Sequence, residues 1–209
     1  MSSTRPSVLP KLGRNRTIPV LVLASAKEGV AVARALAAGG VTVAEVTLRT
    51  AAALDAIAAI AAECPDVLVG AGTILNARDI EASLKAGAQF LVTPGTSPDL
   101  RKALVDVPVP VLPGAVTISE MLTLAELGFG ELKFFPAGAA GGLEYLKSVA
   151  GPCPHLKFCP TGGVGPANMG DYLKLSNVFA VGGSWLTPKA AVDAGDWAAI
   201  TRLAQDATG

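Results

Sequence analysis

Lys133 lies in Glu131-Leu-Lys-Phe-Phe-Pro136, an apolar run of the right length for a buried strand. Burial strips water from an ammonium and favours the uncharged amine. An uncharged amine in an apolar pocket attacks ketones, so one expectation for Lys133 is Schiff-base chemistry. The alternative is that its stem is buried while the amine reaches solvent at a sheet rim. A second charged cluster lies in Ala44-Glu-Val-Thr-Leu-Arg49. Alternate residues of a strand share a face, which groups Glu45, Thr47 and Arg49 against Val46 and Leu48. Two readings fit these opposite charges. One is a structural ion pair, which desolvation makes a weak source of stability. The other is a carboxylate base beside a guanidinium whose planar fork suits a substrate carboxylate.

Hydroxyl and glycine residues cluster at three further places. Thr73 ends Val69-Gly-Ala-Gly-Thr73, where glycines permit close backbone approach and the hydroxyl can donate to an anion. Thr161-Gly162-Gly163-Val164 and Gly182-Gly183-Ser184 each join a glycine pair to a hydroxyl residue. Glycine pairs leave backbone N–H groups free to point at an anion, and a helix start behind them adds a favourable partial charge. Together they point to phosphate. Thr93-Pro94-Gly95 and Pro113-Gly114 read as sharp turns, with Pro94 a candidate pocket wall. Lys157 is the competing lysine, in Leu156-Lys-Phe-Cys-Pro160. It lies four residues before Thr161, roughly 13 Å down an extended strand, and belongs near the opposite rim.

These residues recur with a period that defines the elements. Short apolar or β-branched runs begin near Ile18, Ala44, Val67, Gln89, Val109, Glu131, Leu156 and Val178, at the spacing of a strand-helix unit. Helix starts are marked between them. Thr117-Ile-Ser-Glu120 is a capping box, Ser97-Pro98 and Thr187-Pro188 read as N-cap followed by proline, and Asn76 opens another helix. Gly87 and Gly128 read as helix stops. Eight strands alternating with helices predict an α/β fold, a single (β/α)8 TIM barrel, with the polar residues at one mouth. A doubly wound open sheet is the structural alternative. The expected division is an irregular lead-in over residues 1–16 and a barrel over 17–209.

Composition narrows the partners. The 209 residues are 51% hydrophobic, with 17 basic and 17 acidic side chains spread along the chain. No basic tract points to nucleic acid, and no apolar run approaches the roughly 18 residues of a membrane span. Cys64, Cys153 and Cys159 are odd in number and lack metal or disulfide spacing, which suits buried thiols in a reducing, cytoplasmic setting. With His155 as the sole histidine, acid-base work falls to carboxylates or lysine.

Taken in order, Glu45-Val-Thr-Leu-Arg-Thr50, Gly70-Ala-Gly-Thr73, Thr93-Pro-Gly95, Leu132-Lys-Phe-Phe-Pro136, Pro160-Thr-Gly-Gly-Val164 and Gly182-Gly-Ser-Trp185 closely resemble the bacterial 2-keto-3-deoxy-6-phosphogluconate (KDPG) aldolases. Some members of that family also cleave 4-hydroxy-2-oxoglutarate. The resemblance runs from about Ile18 to the C-terminal helix. It implies a homotrimeric class I lyase that needs no metal or other cofactor and acts on a phosphorylated keto-acid to release pyruvate and glyceraldehyde 3-phosphate. It further implies Lys133 as the Schiff-base residue, Glu45 as acid-base, and Arg49 and Thr73 on the carboxylate. Thr161, Gly162, Gly163, Gly183 and Ser184 would take the phosphate, and Pro94 and Phe135 would line the pocket. Pro6 and Pro10 depart from the long N-terminal helix usual in the family, which leaves closure of the barrel base open. Competing functions are an aldolase preferring the galactonate epimer or 4-hydroxy-2-oxoglutarate, a phosphosugar isomerase or epimerase on the same barrel, and a non-catalytic phosphate-binding barrel.

Overall fold

A computed structural model describes residues 5–208. Its strands are β1 (Thr17–Leu21), β2 (Val43–Thr47), β3 (Leu68–Gly72), β4 (Leu91–Val92), β5 (Val111–Leu112), β6 (Gly114–Ala115), β7 (Glu131–Phe134), β8 (Lys157–Pro160) and β9 (Val181–Gly183). All pairings are parallel, in the order β5-β4-β3-β2-β1-β9 and β6-β7-β8. Two joints close these sheets into one ring. β5 and β6 are halves of one barrel strand, interrupted at Pro113, and the bridges Phe158↔Val178 and Thr161↔Gly182 connect β8 to the β9 run. The closed (β/α)8 barrel replaces the open-sheet alternative. Each of the eight anticipated strands forms within about three residues of its expected start.

The helices are α1 (Leu9–Leu12), α2 (Ala26–Ala38), α3 (Ala53–Glu63), α4 (Ala77–Lys85), α5 (Pro98–Leu104), α6 (Ile118–Glu126), α7 (Gly142–Ala150), α8 (Met169–Leu173), α9 (Lys189–Ala194) and α10 (Trp197–Thr208). Local chemistry sets most of their starts. Asn76 accepts from Asp79 N, Ser97 from Leu100 N, and the Thr117–Glu120 capping box is complete. Gly87 and Gly128 follow their helices at positive φ. The Thr187-Pro188 expectation is corrected: α9 begins at Lys189, with Pro188 at the cap and no side-chain cap bond. Thr187 N instead donates to Ser184 O at 3.1 Å, which draws Thr187 into a turn after β9. Small residues let helices pack closely; a Cβ on Gly29 of α2 would meet the Ala56 Cβ of α3 at 3.1 Å.

The barrel base is covered from the N-terminal side. Val8 and Leu12 are buried, Val8 N donates to Glu131 Oε2 at 2.8 Å, and the Ser7 hydroxyl donates to the other Glu131 oxygen. Arg5 donates to the Leu127 and Val105 carbonyls and lies 4.2 Å over the Phe129 ring. Prolines at 6 and 10 leave α1 a single turn, as expected, and side-chain anchors supply the rest of the closure. Lys157 sits at the same end, with its amine on Ser176 O at 2.9 Å. The opposite, C-terminal end of the strands is the mouth.

Candidate active site

Lys133 is on β7 and Glu45 on β2, strands that are not neighbours in the ring. Their side chains meet only by crossing the interior. Lys133 Nζ donates to Glu45 Oε1 at 3.1 Å and to Oε2 at 3.5 Å, with the two side chains 7% and 4% exposed. Alternation makes this possible: Leu132 and Phe134 on the other face of β7 are fully buried. The amine therefore does not reach solvent at a rim. The Phe135 ring centroid lies 5.4 Å from Nζ, an apolar wall beside the cation.

Cys159 is the register partner of Lys133 on β8, and sequence reasoning assigned it no place in the site. Burial pushes its thiol up to about 12, with Lys133 opposing and Glu45 reinforcing the shift. A thiol held protonated is a poor nucleophile.

Glu45 owes its position to a glycine. A Cβ on Gly72, at the end of β3, would overlap the Glu45 carboxylate. Gly72 was read only as a residue of close backbone approach; its specific job is to leave room for this side chain. Thr73 follows with φ of 61°, the one non-glycine residue at positive φ among the described residues. For a β-branched residue that conformation stores strain, as functional loops often do. Strand geometry ends here on the neighbouring chain segment too. β2 stops at Thr47, whose hydroxyl donates to Leu21 O at 2.8 Å, and Arg49 N folds back to Thr47 O at 2.8 Å. This corrects the expected Glu45-Thr47-Arg49 strand face: Arg49 is exposed beyond the strand end, on the mouth side. It is not the ion-pair partner of Glu45, because Lys133 is.

The glycine pairs lie where strands seven and eight of the barrel open. Gly162 and Gly163 have φ of 88° and 77°, values that favour glycine, and Gly138 N donates to Gly162 O at 2.8 Å. A Cβ on Gly162 would come within 3.2 Å of the Phe135 ring, so this turn abuts the wall beside Lys133. Thr161 is buried and bridges to Gly182, whose missing Cβ makes room for the Thr161 hydroxyl. Gly183 is required by packing, since a Cβ there would overlap the Trp185 ring, while Ser184 is exposed. One expectation changes. The helices after these turns begin only at Met169 and Lys189, so no helix start stands directly behind either glycine pair. The Thr161 hydroxyl donates to Cys159 O at 3.4 Å, while Ser184 is free to face the mouth as an exposed residue. Pro94 is half-buried at the end of β4, and its carbonyl occupies the place a Cβ on Gly114 would need. Among the described residues, no group of three or more His, Cys, Asp or Glu side chains is placed to hold a metal ion.

Comparison with known proteins shows the family of the chain. A family profile described as KDPG and KHG aldolase matches residues 8–203. The chain belongs to the KDPG/KHG aldolase family. Among KDPG/KHG aldolases, the KHG/KDPG aldolase of Escherichia coli K12 is 46% identical over 207 residues, covering 99% of this chain and 97% of that protein. A KDPG aldolase from Legionella pneumophila, with pyruvate captured at low pH as a covalent carbinolamine intermediate, is 40% identical with a TM-score of 0.90, covering 93% of this chain and 94% of that one. The KDPG aldolase of Zymomonas mobilis ZM4 with 3-phosphoglycerate gives the same identity and TM-score over 96% of this chain and 95% of that one.

Proposed function

We propose that this chain is a class I aldolase that cleaves KDPG to pyruvate and glyceraldehyde 3-phosphate, and also accepts 4-hydroxy-2-oxoglutarate. The observation that carries the reading is the Lys133–Glu45 pair inside the barrel, a nucleophile and a base 3.1 Å apart. The covalent pyruvate intermediate of the Legionella relative supports it, and 3-phosphoglycerate with the Zymomonas relative supports a phosphorylated substrate. Residues 17–209 form the catalytic unit in this reading, and residues 5–16 before it cover the base.

Chemistry begins with a proton. Lys133 gives one to Glu45 and its nitrogen adds to the C2 ketone, forming a carbinolamine. Loss of water leaves an iminium ion. Glu45, returned to its carboxylate, takes the C4 hydroxyl proton; the C3–C4 bond breaks, the aldehyde leaves, and the bonding electrons collapse into the iminium to give an enamine. Protonation at C3 and addition of water release pyruvate and restore the amine. Arg49 and the Thr73 hydroxyl hold the substrate carboxylate at the mouth, with Pro94 and Phe135 as apolar walls. Thr161, Gly162, Gly163, Gly183 and Ser184 receive the phosphate end through hydroxyls and backbone N–H groups. No metal takes part in any step.

A homotrimer in the cytoplasm completes the proposal. Val22, Leu75, Ile118 and Leu122 are exposed apolar side chains available for association, and none of the described helices is long and apolar enough to cross a membrane. The test of function is pyruvate release from KDPG with and without a chelator. Release at equal rates in both is expected; no release, or a rate abolished by the chelator, refutes the assignment. Sedimentation should give a mass of three chains.

A further inference from the structure

Thr93 takes no part in the chemistry above, yet a single peptide plane connects it to Lys133. That plane is the Pro113–Gly114 peptide, at the break between β5 and β6. Its carbonyl, Pro113 O, accepts from Lys133 N at 3.0 Å. Its N–H, on Gly114, donates to Thr93 Oγ1 at 2.9 Å. The N–H and C=O of a trans peptide point in opposite directions from one rigid unit. The peptide is thus held from both sides: by β4 through the Thr93 hydroxyl and by β7 at the backbone of Lys133.

The break explains why a side chain is used. Thr93 N donates to Leu112 O at 3.2 Å, so an uninterrupted parallel ladder would return the Gly114 N–H to the Thr93 carbonyl. Here the hydroxyl of the same residue takes it. Pro113 has no N–H to add to the ladder, and Gly114 is pressed so closely on the Pro94 carbonyl that a Cβ would overlap it. Thr93 and Gly114 are both buried, Thr93 completely, so no water replaces a lost acceptor.

We propose that Thr93 is a positioning residue for Lys133, fixing through the Pro113–Gly114 peptide the height at which the nucleophile enters the lumen. The proposal rests on the reading of Lys133 as the Schiff-base residue. Because Thr93 is fully buried and its hydroxyl is engaged by the Gly114 N–H, its loss acts on the covalent step rather than on substrate affinity.

The experiment compares wild type with Thr93→Ser, Thr93→Cys and Thr93→Val. For each, the rate of reductive trapping by borohydride is measured at saturating pyruvate, with Tm, kcat and KM for KDPG. Serine keeps the acceptor, cysteine weakens it at similar size, and valine removes it while keeping the shape. The expected order of trapping is wild type and Ser, then Cys, then Val, with Val slowed about tenfold or more and KM little changed. Trapping that follows side-chain volume instead, or a valine variant trapped at the wild-type rate, overturns the proposal. Should Val fail to fold, Ser against Cys decides: a Cys variant trapped as fast as Ser overturns it. Thr201→Val controls for stability, since it removes a 2.9 Å bond to Ala35 O on the outer helices. It should lower Tm and leave trapping unchanged; trapping that falls with Tm there as it does at Thr93 counts against a positional effect. Wild type that is not trapped at all refutes the role of Lys133 itself, a separate outcome.

Discussion

Glu45 and Lys133 are each other's counter-charge in a lumen that excludes most water, and this couples fold to chemistry at the level of single residues. Glu45→Gln keeps an oxygen for the amine and removes the proposed base. Turnover should fall by about 10² to 10⁴ with the near-ultraviolet circular dichroism unchanged, as measured by kcat on KDPG. Cys159 yields a prediction of opposite kind. Its folded value lies near 12, above the ordinary thiol value of 9.0, so only the unfolded chain loses this proton between the two. Its stability contribution is complete below pH 9 and is lost as pH rises toward 12, at up to about 1.4 kcal/mol per pH unit. Denaturation of Cys159→Ala should therefore show a shallower loss of stability from pH 9 to 10.5 than wild type. Lys133 and Glu45 were legible in the sequence because a charge in a strand-like apolar run is anomalous against its neighbours. Their partnership was not, since 88 residues separate them and no local pattern says which strands face each other across a barrel.

Elements decide whether those side chains can meet. Gly72 sits at the end of β3 where any Cβ would displace the Glu45 carboxylate, so Gly72→Ala should fold and lose most activity. Unchanged kcat in that variant would mean that the carboxylate can move without consequence. On the outer layer the effect reverses. Thr117→Ala removes half of the α6 capping box and should cost about 1 kcal/mol in denaturant unfolding while leaving kcat intact. Caps such as Asn76, Ser97 and Thr117 could be read from sequence because the chemistry spans only three residues. Thr187-Pro188 carried the same signal and misled, because the turn that follows β9 claims Thr187 first. The expected strand face for Arg49 failed for a related reason. Alternation applies only while a strand lasts, and β2 ends two residues before it. The interruption at Pro113 was visible as a turn, but its position between two paired half-strands follows from partners distant in sequence.

Across the whole molecule, the lead-in ties down one end of the barrel, and the strand ends at the other carry the candidate site. Arg5, Ser7 and Val8 tie the base to Val105, Leu127 and Glu131, so Arg5→Ala should lower stability by roughly 1–3 kcal/mol without changing kcat. The eightfold strand-helix repeat made the barrel legible, because strand spacing and helix punctuation agree along most of the chain. The anchoring of the lead-in was not legible, as it depends on single side chains meeting three separate segments. At the mouth, the proposed chemistry is a covalent bond from the Lys133 nitrogen to a keto-acid. Incubation of the wild-type protein with pyruvate and borohydride, followed by peptide mass mapping, tests it most directly. One reduced pyruvyl group per chain, on the peptide and residue of Lys133 and absent from Lys133→Met, is the predicted result. Unmodified protein, or a label carried by Lys157 or a surface lysine, would contradict it.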